Sequence, residues 1–248
     1  MNVAGNRDLD NYQREYAASP FEEHLAAARR EFVLEFLARH KLRDLLEVGC
    51  AGKPLVESLP AFRSCIILEP GHVYFEQAQA AIQKLPAGER IKLFQKRFED
   101  FADRPAIDVI IISSLIHEID DAAGMLRHAF EIAPTGCWLH LNVPNAKSFH
   151  RLWAVEAGLI RDEYEKSAMQ IRLQQSHTFD LNSLKYLVQQ AGFAVEASGS
   201  YFIKPFSNAQ MQQLVDLGIL TPPLLHGLMR MERHLPGLGA DIFVNARK

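Results

Sequence analysis

The sequence predicts an α/β fold, a mostly parallel sheet of seven strands with helices on both faces. Three observations lead to it. Short β-branched runs alternate with longer stretches of helical spacing. The run Ile107 to Ile112 is almost continuously apolar, which suits a central strand covered on both sides. A turn of small residues follows the first strand, at Gly49 to Gly52.

Phe21 to Arg39 reads as an amphipathic helix, with Leu25, Phe32, Phe36 and Leu37 near helical spacing. Asp44 to Val48 is a short buried strand, and Arg63 to Leu68 a second that ends at Glu69-Pro70. Val73 to Leu85 is helical and Ile91 to Phe94 is a third strand. After the central strand, Asp120 and Asp121 can cap a helix running to about Ala133. Pro134 to Gly136 turns the chain into a fifth strand, Cys137 to Val143. A helix follows at Leu181 to Ala191, capped near Asp180 and stopped by Gly192. Val195 to Ile203 and Asp241 to Ala246 can close the sheet as an antiparallel pair. Residues 146–179 and 207–238 break this rhythm, and insertions of such length are usually lids or substrate walls. With residues 1–20 they are expected to cover the carboxyl edge of the sheet, where open α/β folds bind ligands.

Composition narrows the class. The chain has 248 residues, 48% of them hydrophobic, and a formal net charge of -3 with no basic arm. That favours a globular enzyme, and nucleic acid is not a favoured partner. No apolar run is long enough to cross a bilayer. Cys50, Cys65 and Cys137 form neither a CxxC pair nor a disulfide framework, so a reducing, cytoplasmic setting is expected.

The chemistry concentrates in Leu45 to Leu55, which reads LLEVGCAGKPL. A strand turns at Gly49, small residues admit a ligand to the main chain, and a helix is expected to open after the turn. Glu69 stands at the tip of the next strand, where a carboxylate can accept both hydroxyls of an unphosphorylated ribose. These features together indicate an adenosine ligand. A nicotinamide dinucleotide fold wants GxGxxG, and only Gly49 and Gly52 are present.

The segment Glu47-Val48-Gly49-Cys50 resembles the first motif of class I S-adenosylmethionine-dependent methyltransferases, an acid, an apolar residue and GxGxG. Ala51 stands where the second glycine belongs and Lys53 where the third does. The resemblance extends over about residues 40–205. Leu115 to Asp121 is similar to the family's LEHxxDP segment. Asn142 to Asn145, Phe179 to Leu184 and Ala191-Gly-Phe193 are similar to small-molecule methyltransferases of the ubiquinone-pathway and of sugar or antibiotic tailoring.

The resemblance implies a Rossmann-like methyltransferase fold in one domain, with residues 1–40 as lid and first helix and 41–145 as the cofactor-binding core. It implies S-adenosylmethionine as cofactor, no metal, and a small-molecule hydroxyl or amine as acceptor. Glu47 would organise the turn and the methionine amino group. Gly49, Cys50 and Ala51 would form the turn, Glu69 and Pro70 would meet the ribose, and Phe98 and Glu99 would flank the adenine. Ser113 and Ser114 would lie beside the methionine moiety. Arg97 stands where the family often has aspartate. His117 suits a general base or a structural post, and His150 and His177 belong to the first insertion, where substrate should lie. His117-Glu118 is not a HExxH zinc site, because position 121 is Asp. His140 reads as a packed strand residue. Tyr12 and Tyr16 are similar to a lid segment. The Met- and Leu-rich stretch Gln210 to Leu235 could pair two copies. Three alternatives remain: a non-catalytic binding module of this fold, which would account for Ala51 and Lys53, a nucleotide-binding oxidoreductase, which would bind a nicotinamide cofactor, and an enzyme acting on RNA or protein.

Overall fold

The computed structural model describes residues 14–16 and 18–248. Its sheet has seven strands in the order β3-β2-β1-β4-β5-β7-β6. They are β1 (Asp44–Val48), β2 (Ser64–Leu68), β3 (Ile91–Phe94), β4 (Val109–Ser113), β5 (Trp138–Pro144), β6 (Ala194–Tyr201) and β7 (Asp241–Arg247). The first five pair in parallel, while β7 runs antiparallel between β5 and β6. The expected antiparallel pair is present, and β7 reaches past β6 to join the parallel part.

Residues alternate between the two faces, as a period of two requires. Leu46, Ile110, Ile112, Leu139 and Leu141 pack on one side. There they meet Met125 and Leu126 of α3 (Ala122–Ile132) and Leu184 and Val188 of α6 (Leu181–Gln190). On the other side Leu45, Val109 and Ile111 pack with Val33, Phe36 and Leu37 of α1 (Glu22–His40) and Ala78 of α2 (His72–Ile82). Two covered faces explain why β1 is buried along its whole length. β4 starts at Val109 rather than Ile107, and Asp108 just before it bonds to β1 and β5 through its amide and carbonyl, each at 2.8 Å. Its carboxylate accepts the amides of Arg43 and Asp44 at 2.9 and 3.0 Å.

Asp121 caps α3 by accepting the Gly124 amide at 2.7 Å, and Asp180 caps α6 by accepting that of Ser183 at 2.8 Å. The first insertion holds α4 (Phe149–Glu156) and α5 (Ala168–Arg172), the second α7 (Asn208–Asp216) and α8 (Pro222–Arg230). The second packs on the start of α1. Met211 and its neighbours pack against Phe21, Leu25, Tyr201 and Phe202, so this insertion buttresses the start of α1. Phe21 enters α1 in the left-handed conformation, φ 64°, with its amide on Gln212 Oε1 at 3.0 Å. Among the described residues no helix is long and apolar enough to cross a membrane.

Candidate active site

The carboxyl ends of β1 and β2 are tied together by one side chain. Glu69 Oε2 accepts the amides of Cys50 and Ala51, each at 3.1 Å, and its Oε1 accepts that of Gly71 at 3.0 Å. Burial pushes the Glu69 carboxyl above its ordinary range, while those three amides pull it back. The turn they hold is tight: Gly49, Ala51 and Gly52 all have positive φ, at 74°, 47° and 75°. The positive φ favours glycine at position 52, and a Cβ there would also lie 2.3 Å from Gln77 Oε1 and 3.1 Å from Gln77 Cβ, so Gln77 would have to shift. Ala51 takes the left-handed conformation of a glycine, at a cost of roughly 1–2 kcal/mol.

The helix expected after this turn is reduced to one 3-10 turn, Leu55–Ser58. Pro54 causes it. The residue is extended, φ -55° and ψ 144°, and has no amide to donate. The amide of Leu55 goes back to Glu47, whose two oxygens accept it at 3.2 and 3.1 Å. Glu47 is buried, and burial pushes its carboxyl up to about 8 against the pull of that amide. Arg30 of α1 closes the turn from above, donating to the carbonyls of Lys53 and of Pro54, the latter at 3.0 Å.

At the end of β4, Ser113 Oγ and the Ser114 amide meet Asn142 Oδ1 at 3.1 and 3.0 Å. Behind Asn142 lies His140, its Nε2 3.0 Å from Asn142 Nδ2 and its Nδ1 2.7 Å from Asn245 Oδ1. Asn142 Nδ2 can only donate, so His140 Nε2 accepts and Nδ1 carries the proton. Burial drives this imidazole down to about 4, which keeps it neutral.

A cavity of about 640 Å³ joins these parts. Glu47, Gly49, Cys50, Ala51, Glu69, Pro70, Phe98, Glu99, Ser113 and Ser114 all line it. Its opposite wall was not foreseen as such: Tyr16, Glu22, Arg29 and Arg30 come from α1 and the residues before it, joined by Glu118. Tyr16 donates to Glu22 Oε1 at 2.7 Å, and Arg29 donates to the Tyr16 oxygen at 3.1 Å and to Glu22. Arg29 also lies 3.6 Å from Asp241 at the start of β7. Helical spacing marks Leu25 and Phe36 as inward-facing, but no local pattern shows that Arg29 is inward too.

The three histidines fall outside the cavity's lining, as do all residues of 146–179 and 207–238. His117 is buried with Nε2 3.6 Å from Glu118 Oε1, and its carbonyl accepts the His177 amide at 2.9 Å. His177 Nε2 sits 3.1 Å from the Asp120 carbonyl, and His150 Nδ1 3.1 Å from Ser148 Oγ. The insertions were expected to wall the site; instead α1 takes that place because the second insertion packs behind it. Tyr12 lies outside the described residues.

Residues 21–198 match the sequence profile of a family described as a methyltransferase domain. The chain belongs to that family. No curated protein matches the chain. Among solved structures it resembles an S-adenosylmethionine-dependent methyltransferase of Thermotoga maritima described as a possible histamine N-methyltransferase. That match has 16% identity and a TM-score of 0.60, and covers 97% of this chain and 99% of the other. A methyltransferase of Mesorhizobium loti matches at 15% identity and TM-score 0.57, over 84% of this chain and 91% of the other. An O-methyltransferase family protein of Burkholderia thailandensis matches at 14% identity and TM-score 0.59, with 90% of this chain on 56% of the other. At these identities the likeness is one of fold.

The residues present fit S-adenosylmethionine, the methyl donor that the sequence resemblance implies. A left-handed turn leaves the main chain open, a strand-tip carboxylate stands beside it, and the cavity volume is in the range of cofactor sites.

Proposed function

We propose that the methyltransferase passes the methyl group to a hydroxyl or amine of a small molecule, held between Ser114 and α1. The observation that carries this reading is one cavity shared by the ten adenosine-side residues and the Tyr16, Glu22, Arg29 and Glu118 wall. S-adenosylmethionine, when bound, supplies an electrophilic methyl on a sulfonium. The protein's tasks are then alignment, worth roughly 7–11 kcal/mol, and exclusion of water.

Glu69 has about four lone-pair positions. Three take amides, and the one left on Oε1 accepts from the ribose. Glu47 receives the methionine ammonium, Phe98 and Glu99 flank the adenine, and Ser113 and Ser114 border the reacting end. Glu118 takes the proton of a hydroxyl acceptor, with His117 behind it at 3.6 Å. A base of this kind adds about 10²- to 10⁴-fold. His150 and His177, away from the cavity, serve the insertion's structure in this reading. Exposed Leu217, Ile219 and Leu224 support self-association through the second insertion.

Calorimetric titration with S-adenosylmethionine, S-adenosylhomocysteine and NADH, on the wild type and Glu69→Ala, tests the site. Micromolar binding of the two sulfur compounds alone, lost in the variant, supports it. Binding of neither favours the non-catalytic module. Labelled methyl appearing only in RNA or protein when cell fractions are offered as acceptors would sink the small-molecule reading.

A further inference from the structure

We propose that Lys53 is the residue that binds the methionine carboxylate of the donor, replacing the helix amides that Pro54 removes. This rests on the donor being S-adenosylmethionine.

The loop wall has a charge problem. Glu47 and Glu69 both line it, which suits the ammonium of an amino-acid tail and repels its carboxylate. Free amides at a helix start would ordinarily offset that repulsion. Here the Leu55 amide is taken by Glu47 and Pro54 has none, so no such donors face the cavity. Of the cavity's lining cations, Arg29, Arg30, Lys53 and Arg97, only Lys53 belongs to the loop after β1; Arg29 is held by Glu22, and Arg97 stands beside Phe98 on the adenine side. Arg30 is committed, because both its terminal nitrogens donate to the carbonyls of Lys53 and Pro54.

Lys53 is different. Its backbone is fixed, with the amide on the Cys50 carbonyl at 2.9 Å and the carbonyl under Arg30. The residue is exposed and lines the cavity, and no described residue pairs with its ammonium. Lining the same cavity as Glu47, it adds a cation to the carboxylates available to a zwitterionic tail. The lysine in the third glycine's place is then a substitute for lost donors, not the mark of a decayed site.

The two views predict opposite results for Lys53→Gly. Calorimetry with S-adenosylhomocysteine, which carries the tail, and methylthioadenosine, which lacks it, separates them. Lys53→Gly and Lys53→Gln should weaken S-adenosylhomocysteine about five- to tenfold, leave methylthioadenosine unchanged, and remove the salt dependence of the former. Lys53→Arg should retain most of the affinity. Unchanged or tighter S-adenosylhomocysteine binding in Lys53→Gly would overturn the proposal, as would equal weakening of both compounds. A wild type that binds neither compound sinks the donor assignment itself. Thermal melting should barely move, because Lys53 is exposed.

Discussion

Glu69 Oε2 lies 3.1 Å from the Ala51 amide, so the tip of β2 holds the left-handed turn that follows β1. The same carboxylate that faces the cavity therefore supports the loop facing it. Glu69→Gln should lower stability by about 1–3 kcal/mol, because an amide nitrogen then faces backbone donors. It should weaken S-adenosylhomocysteine as well. A denaturant midpoint equal to the wild type's would show that the loop does not depend on Glu69.

Ala51 offers a test of strain. Ala51→Gly removes the left-handed penalty but adds backbone entropy, so stability should stay level or rise by up to about 1 kcal/mol. Ala51→Val, β-branched at φ 47°, should cost more than 2 kcal/mol, roughly. Equal midpoints for the two variants would mean that the turn relaxes freely.

Glu47 carries a pH signature. Its carboxyl sits at about 8 in the folded protein against an ordinary 4.5. Between those values the folded state holds a proton that the unfolded state releases, so this group's contribution to stability falls as pH rises through the window. Glu47→Gln should remove that slope in chemical denaturation from pH 5 to 8. If Glu47 receives the ammonium, binding favours its ionised form, and wild-type affinity should tighten several-fold from about pH 6 to 8. A flat affinity profile would exclude Glu47 from the contact.

His140 acts with the opposite sign. Its folded value of about 4 lies below the ordinary 6.5, so its contribution is full above 6.5 and lost as pH falls toward 4. Nitrogen NMR shifts should show a neutral Nδ1–H tautomer throughout that range. A cationic ring at pH 5.5 would contradict the Asn142 and Asn245 contacts.

Much of the fold was legible because parallel strands covered on both faces read as apolar runs, as Ile107 to Ile112 does. The cofactor side was legible because Gly49 to Gly52 and Glu69 are placed by short-range geometry. Two parts were not. The sequence shows Pro54, but the loss of the helix also depends on Glu47 taking the Leu55 amide, a contact across the turn. The α1 wall depends on Arg29 meeting Asp241, residues far apart in the chain that only the sheet's closure brings together. The insertions were read as walls by their length, which says nothing of the side on which they pack.

The position of β7 has a consequence for synthesis. Among the described residues β6 is an edge strand paired only with β7, which emerges from the ribosome later, after α7 and α8. At about 5–20 residues per second, β6 and the open edge of β5 wait some seconds without their shared partner. Asp241, which starts β7, arrives with it. The nascent chain can thus assemble the adenosine side early, while the side that meets Arg29 is finished only when β7 threads between two strands already made.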